Sequence, residues 1–183
     1  DQGHAVFKQS CAPCHGTYAP DAVTYPNLVI PHSTILTDDN VSLGGTSKYY
    51  GSDLVDWYNR SWYGQLGHYV PQNGYIAPPL DGVWAIAPYL HNGSVPDIAT
   101  LLDSSKRPKY WSRMDHDSTH YDQTAVGFPW VAQSSGQSNP PLGVTAKNIY
   151  DTTLPSHANT GHTFGDALTD DQRTAVIEYL KTL

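Results

Sequence analysis

Both cysteines of the chain lie in one short stretch, Cys11-Ala12-Pro13-Cys14-His15. Two thiols separated by two residues and followed at once by a histidine have the spacing that attaches a c-type haem, with the histidine as an axial ligand of the iron. A redox pair or half of a zinc site are the alternatives, but a zinc site needs further ligands at short spacing and a redox pair does not need the histidine. The motif therefore predicts one covalent haem c, held by Cys11, Cys14 and His15.

The second axial ligand decides what such a haem can do, because a strong ligand favours electron transfer and an open position admits small molecules. His162 is the first candidate, since the glycines of Gly161-His162-Thr163-Phe164-Gly165 could bring the backbone close over the haem face. Met114, the only methionine, is the second candidate, although most methionines fill gaps in a core. An empty position is the third. The sequence favours His162 and leaves the other two open.

Two helices near the ends of the chain are predicted to position these residues. Residues 3–10 place an apolar turn just before the cysteines. Thr169 and Gln172 have the spacing of a capping box, and apolar residues follow at helical spacing, namely Val176, Ile177, Leu180 and Leu183. We expect these two helices to pack together.

The long middle of the chain, about residues 17–168, has the composition of a loop-rich protein. The chain contains 15 Gly, 14 Pro and 13 Tyr, and only 15% of its residues are charged. Ser52 predicts the start of a helix that runs to about Tyr63, and Ser94 predicts the start of another. We therefore predict a single domain, 1–183, that is mainly α with extensive loops, in which a loop-rich insertion at about 17–168 separates the terminal helices.

The charge and hydropathy of the chain limit its partners. A formal net charge of −7 disfavours nucleic acid and anionic membranes and favours basic or neutral proteins. No apolar run approaches the roughly 20 residues that a membrane span requires, and the first residues lack a basic-then-apolar leader. We expect an exported protein, periplasmic or extracellular, without a membrane span.

Residues 75–96, with the sequence YIAPPLDGVWAIAPYLHNGSVP, resemble the haem domains of the bacterial dihaem cytochrome c peroxidase superfamily, and especially the branch that contains the rubber oxygenases. Residues 107–109 and 161–165 extend the resemblance, and the expected pairing of first and last helices resembles the cytochrome c fold. Those enzymes use two haems, whereas this chain has one CxxCH motif. The resemblance implies a monohaem cytochrome similar to the C-terminal, electron-transfer haem domain.

The same resemblance implies roles for further residues near the haem. It implies that His162 is the distal ligand and that His91 lies near the haem edge, although His91 could instead cap the following helix. Trp84 stands within the resembled segment and is predicted to contact the haem, as a large amphipathic aromatic can.

Electron transfer by a single bis-histidine haem c is the leading hypothesis for function. A peroxidase or oxygenase with an accessible iron is the first alternative, which the missing second haem disfavours. A subunit of an electron-conducting assembly or filament is the second, since the chain has 5 Trp and 13 Tyr that could serve a contact between copies. Redox proteins are the expected partners, with self-association as an additional possibility.

Overall fold

The first and last helices pack against each other in the computed structural model, which describes residues 2–19, 22–46 and 51–183. Helix α1 spans Gln2–Ser10 and helix α7 spans Asp170–Leu180. The predicted capping box starts α7, because the Thr169 hydroxyl accepts the Gln172 N–H and the Gln172 side chain accepts the Thr169 N–H. Both terminal helices are thus confirmed.

The contact between α1 and α7 contributes much of the hydrophobic core. Val6 and Phe7 of α1 are buried together with Val176, Ile177 and Leu180 of α7. Residues from the middle of the chain complete the cluster, namely Val83, Tyr89, Val95, Ile98, Leu102 and Val126. The segment that carries the cysteines therefore begins on the most firmly packed element of the structure.

The helices between them are short. They are α2 (Ala12–His15), α3 (His32–Ile35), α4 (Asn40–Thr46), α5 (Asp53–Arg60) and α6 (Ile98–Leu101). The predicted helix after Ser52 is α5, but it ends at Arg60 and a 3₁₀ turn, Trp62–Gln65, follows.

Helix α6 begins later than predicted. Its N-cap is Asp97, whose carboxylate accepts the Thr100 N–H at 2.7 Å. Ser94 lies before this point, next to Val95, which pairs with Tyr89 in an isolated β-bridge. The start predicted at Ser94 was therefore wrong.

Three small antiparallel sheets occupy the middle of the chain. β1 pairs with β2, β3 pairs with β4, and β5 lies between β6 and β7. The strands are β1 (Thr17–Ala19), β2 (Ala22–Thr24), β3 (Val29–Pro31), β4 (Gly74–Ile76), β5 (Tyr110–Arg113), β6 (Trp130–Ala132) and β7 (Tyr150–Asp151). In the second sheet, Ile30 is opposite Tyr75.

The prediction of a mainly α fold was wrong. The structure is 36% helical and 14% strand, with seven helices and three small sheets in its described part, and is a mixed α and β fold. The strands are too short to show an alternation of apolar and polar residues. The sequence therefore predicted turns and loops in these regions and no strands. Among the described helices, none is long and apolar enough to cross a membrane.

Gly3 sets how closely the terminal helices approach. A Cβ at this position would overlap the carbonyl oxygen of Ala175 in α7. We expect Gly3→Ala to lower the free energy of unfolding by about 1–3 kcal/mol, since the helices must move apart, although alanine favours a helix over glycine. Urea unfolding measures the loss. Gly67→Ala is the control, because a Cβ there meets nothing within 4 Å; equal effects of the two changes would contradict this account.

Candidate haem-binding site

The two cysteines and His15 lie on a helical continuation of α1. The Cys11 N–H donates to the Phe7 carbonyl at 2.8 Å, and the His15 N–H donates to the Cys11 carbonyl at 3.0 Å. Pro13 fits the first turn of α2, where a missing N–H costs nothing. Both thiols and the imidazole are therefore presented by backbone that is joined directly to the core.

The raised pKa of the Cys11 thiol distinguishes between uses of the cysteine pair. Burial raises the pKa of Cys11 to about 11, and the charge of Cys14 acts in the same direction. A redox-active CxxC pair depends on a lowered thiol pKa. The environment of Cys11 is thus unlike that of a reactive redox thiol.

The imidazole of His15 is oriented by one backbone carbonyl. Its Nδ1 lies 2.8 Å from the carbonyl oxygen of Pro78. A carbonyl can only accept, so Nδ1 carries the proton and Nε2 retains its lone pair. Burial lowers the pKa of His15, more than the bond to Pro78 raises it. His15 is therefore a neutral imidazole whose free nitrogen suits a metal.

His162 lies on a loop pressed against the end of α3. The His162 N–H donates to the Ile35 carbonyl at 2.7 Å. Gly161 has a φ of 70°, and a Cβ there would overlap the backbone at Leu36. Only glycine permits both this dihedral and this approach. The glycine noted in the sequence therefore serves a contact between backbones.

The backbone of His162 itself is strained. Its φ is 45°, and a non-glycine residue in this region costs on the order of 1–3 kcal/mol. The conformation persists because its N–H is bound by Ile35 and its carbonyl by Arg107. Such residues cluster at functional sites, where the surrounding structure holds them in place.

The structure brings the rings of His15 and His162 together. Their centres are 6.3 Å apart and their planes are inclined by 63°. A metal–imidazole bond is about 2 Å, and a ring nitrogen lies about 1.1 Å from its ring centre, so two imidazoles on opposite sides of one metal have centres about 6.2 Å apart. The observed spacing of 6.3 Å leaves room for one metal ion between the two rings.

The electrostatics of His162 keep it uncharged. Burial lowers its pKa to about 4, and the repulsion that a protonated His162 would meet from a protonated His15 and from the Arg107 guanidinium acts in the same direction. Its Nδ1 is buried and has no hydrogen-bond partner in the described part of the chain. A buried ring nitrogen without a partner calls for an explanation beyond hydrogen bonding. Two thiols and two neutral imidazoles form a donor set that fits a c-type haem.

Met114 lies elsewhere in the fold. It follows β5, donates its N–H to the Pro129 carbonyl at 2.8 Å, and is 66% exposed. Its sheet is distinct from the elements that carry His15 and His162.

The structure shows contacts of His91 and Trp84 with residues other than the two histidines. His91 is exposed and stacks on Tyr75, with ring centres 4.1 Å apart. Trp84 is 47% exposed, its carbonyl accepts from the Tyr121 hydroxyl, and it borders a cavity of about 510 Å³ together with Phe128. The lining of that cavity does not include the cysteines, His15 or His162. The haem contacts of His91 and Trp84 stay predictions.

Sequence reasoning missed Pro78, Ile35 and the role of Arg107. Pro78 and Ile35 hold the histidines through their backbone carbonyls, and Arg107 donates to such carbonyls. The type of a residue does not reveal which carbonyls are used in this way. Pro78 and Arg107 alone gave a signal, since both stand in segments with a family resemblance.

Residues 74–112 match the family described as RoxA-like, cytochrome c-like. The match covers about a fifth of the chain and supports a cytochrome c-like haem domain. It covers the segment that contains Pro78, Trp84, His91 and Arg107, and it supports haem as the cofactor and electron transfer as the chemistry. Cytochrome c-like domains are typically exported.

Two proteins of Sinorhizobium fredii are similar to the chain. Uncharacterized protein y4iM is 30% identical over 99% of this chain and 48% of its own length. Uncharacterized protein y4iJ is 37% identical over 61% of this chain and 19% of its own length. The chain thus spans about half the length of the first and about a fifth of the second.

Gly161 provides a test of the loop geometry. Gly161→Ala is expected to lower the free energy of unfolding by about 2–4 kcal/mol, because it adds overlap with Leu36 to the strain of a positive φ. Gly143→Ala is the matched control, since its φ is 81° but a Cβ there meets nothing within 4 Å, so that only about 1 kcal/mol of strain is expected. Denaturant titration compares the two. A loss at Gly161 no larger than at Gly143 would mean that the close approach to Leu36 does not matter.

Proposed function

We propose that this chain transfers electrons through one haem c, attached at Cys11 and Cys14, with its iron between His15 and His162. The spacing of 6.3 Å between the two ring centres is the observation that carries this proposal. When bound, the haem supplies a reversible one-electron couple between ferric and ferrous iron. The match to a cytochrome c-like domain supports the same chemistry.

His15 serves as the proximal ligand. The Pro78 carbonyl fixes its tautomer and orientation by accepting the Nδ1 proton. Because the imidazole is neutral, it can donate its Nε2 lone pair without first losing a proton. Its place on α2, directly after α1, ties this ligand to the core.

His162 serves as the distal ligand. Its low pKa leaves it neutral at physiological pH, and its backbone is bound on both sides of the residue. Met114, by contrast, is 66% exposed and lies just after strand β5. Two strong ligands leave no open position, which favours an electron carrier over a peroxidase or oxygenase.

A role as subunit of an electron-conducting assembly is the second candidate. It is favoured by the surface around α5, where no residue of the helix is buried. Trp57 and Trp62 are 56% and 63% exposed, and Tyr63 stacks on Tyr58 beside them. We define these four residues as the aromatic cluster. Exposed aromatics of this kind suit contact with a redox partner or a second copy. A periplasmic or extracellular location is part of the proposal.

Variants of His162 and Met114 distinguish an electron carrier with two histidine ligands from a methionine-ligated carrier and from an enzyme. The loaded wild-type protein is expected to carry one haem by denaturing mass spectrometry and to show low-spin bis-imidazole spectra in both oxidation states. His162→Ala should shift the ferric iron toward high spin and speed binding of carbon monoxide to the ferrous protein at least about tenfold, because it opens one axial position.

Met114→Leu is the control and should leave the spectra unchanged. If Met114→Leu instead lost the low-spin signature while His162→Ala kept it, the ligand assignment would be reversed. A wild-type protein that is high-spin and turns over peroxide would favour the enzyme.

Native mass measurement at several concentrations tests self-association. The assembly predicts oligomers that dissociate when Trp62 is changed to Ser, since the aromatic cluster loses an anchor. Leu142→Ser is the control, as Leu142 is fully exposed but lies outside the aromatic cluster. A protein that is monomeric at all concentrations would exclude the second candidate.

A further inference from the structure

Arg107 connects the loop that carries His162 to the end of α6. Its guanidinium donates to five backbone carbonyls, and the distances are 3.3 Å to Thr100, 2.9 Å to Leu101, 2.7 Å to Asn159, 2.7 Å to Gly161 and 3.0 Å to His162. The bond from the Asn159 side chain to the Pro108 carbonyl, at 2.9 Å, reinforces the connection from the loop side. More than 50 residues of sequence separate the two segments.

The charge of Arg107 is balanced by carbonyl dipoles. A guanidinium has five N–H donors, and each of them here meets a carbonyl, so none is left for a carboxylate. Asp166 is the carboxylate whose charge acts on Arg107, but its two oxygens accept from the N–H and the hydroxyl of Ser104. Arginine stays charged even when partly buried. Among the described residues, this fixed cation therefore forms no ion pair, and the charge of Asp166 acts on it only from a distance.

The bonds from Arg107 reach the distal residue itself. They hold the carbonyls of Gly161 and His162, while Ile35 holds the His162 N–H from the other side. The backbone of His162 is thereby fixed at both of its polar groups. Any displacement of the guanidinium would move the strained backbone and the imidazole with it.

We propose that Arg107 is the positioning residue of the distal ligand, and that its unpaired charge raises the reduction potential of the iron. This inference rests on the proposed function, in which His162 is that ligand. Reduction adds one electron, delivered by a redox partner protein, and changes no covalent bond. The positive charge at the iron falls by one, and a fixed cation nearby favours that state.

Three variants separate the two parts of this proposal. Arg107→Lys keeps the charge but has three donors instead of five and no planar fork. Arg107→Gln removes the charge. Arg173→Lys is the matched control, because Arg173 also donates to carbonyls, at Leu102 and Gly165, but pairs its charge with Asp170 at 2.7 Å.

The readouts are the rate of carbon monoxide binding to the ferrous protein and the midpoint potential from a spectroelectrochemical titration. Arg107→Lys should speed carbon monoxide binding about tenfold, as the distal imidazole leaves more readily, and leave the potential nearly unchanged. Arg107→Gln should speed binding and also lower the potential. Arg173→Lys should leave both at wild-type values. Wild-type rates of carbon monoxide binding in both Arg107 variants would overturn the positioning role. An unchanged potential in Arg107→Gln would overturn the effect of the charge.

A double variant shows whether Arg107 acts through His162. In the His162→Ala background, Arg107→Lys should not speed carbon monoxide binding further, whereas a general loosening of the fold would add to it. If His162→Ala alone has no effect, the proposed function fails. If His162→Ala opens the site and Arg107→Lys binds carbon monoxide as slowly as the wild type, the positioning role of Arg107 fails. If Arg107→Gln does not retain haem, Arg107→Lys alone tests the positioning role. Arg107→Met, which is also uncharged, then tests the effect of the charge on the potential.

Discussion

The contact between the Gly161–His162 backbone and the end of α3 fixes where the imidazole of His162 stands. The same region fixes the imidazole of His15, because α3 follows β3 and the paired strand β4 leads to Pro78, whose carbonyl holds His15. The positions of both imidazoles thus depend on one two-stranded sheet. Ile35 connects His162 to it, and Pro78 connects His15 to it. The register of β3 with β4 therefore acts on the distance between the two rings, although neither histidine belongs to a strand.

This arrangement also explains why the imidazoles of His15 and His162 are neutral. Each imidazole is desolvated, and the pKa of His162 is lowered further by His15 and Arg107. The two imidazoles are neutral and the guanidinium beside them is positive, so the site offers a bound cation no Coulomb attraction. A cation could be held there only through bonds to the imidazole nitrogens. In the proposed function, iron would enter such a site already neutralised in part by its porphyrin, which suits a haem better than a bare metal ion.

The sequence predicted the parts of the site that depend on local pattern. The CxxCH motif is complete within one turn of helix, and the capping box at Thr169 is complete within four residues, so both could be predicted without knowing the fold. His162 was predicted because the two glycines of its loop could bring the backbone close over the haem face, and its role as a ligand stays a prediction. The short strands were missed, and with them the mixed α and β fold, since two to four residues carry too little periodicity. Carbonyl contacts at Pro78 and Ile35 were beyond prediction, because every residue has a carbonyl and only the fold selects which one is used.

The acidic surface and the buried cation act on different steps of the proposed electron transfer. Charges that contribute to the formal net charge of −7 are mostly exposed, and salt screens exposed charges beyond about 8 Å under physiological conditions. They therefore act on the encounter with a basic partner, which salt weakens. Arg107 is screened less, because it is half-buried and carbonyls surround its guanidinium. In the proposed function, its charge shifts the equilibrium between the ferric and ferrous states. The rate at which partners meet and the driving force once they have met are thus set by separate groups, and each can change without the other.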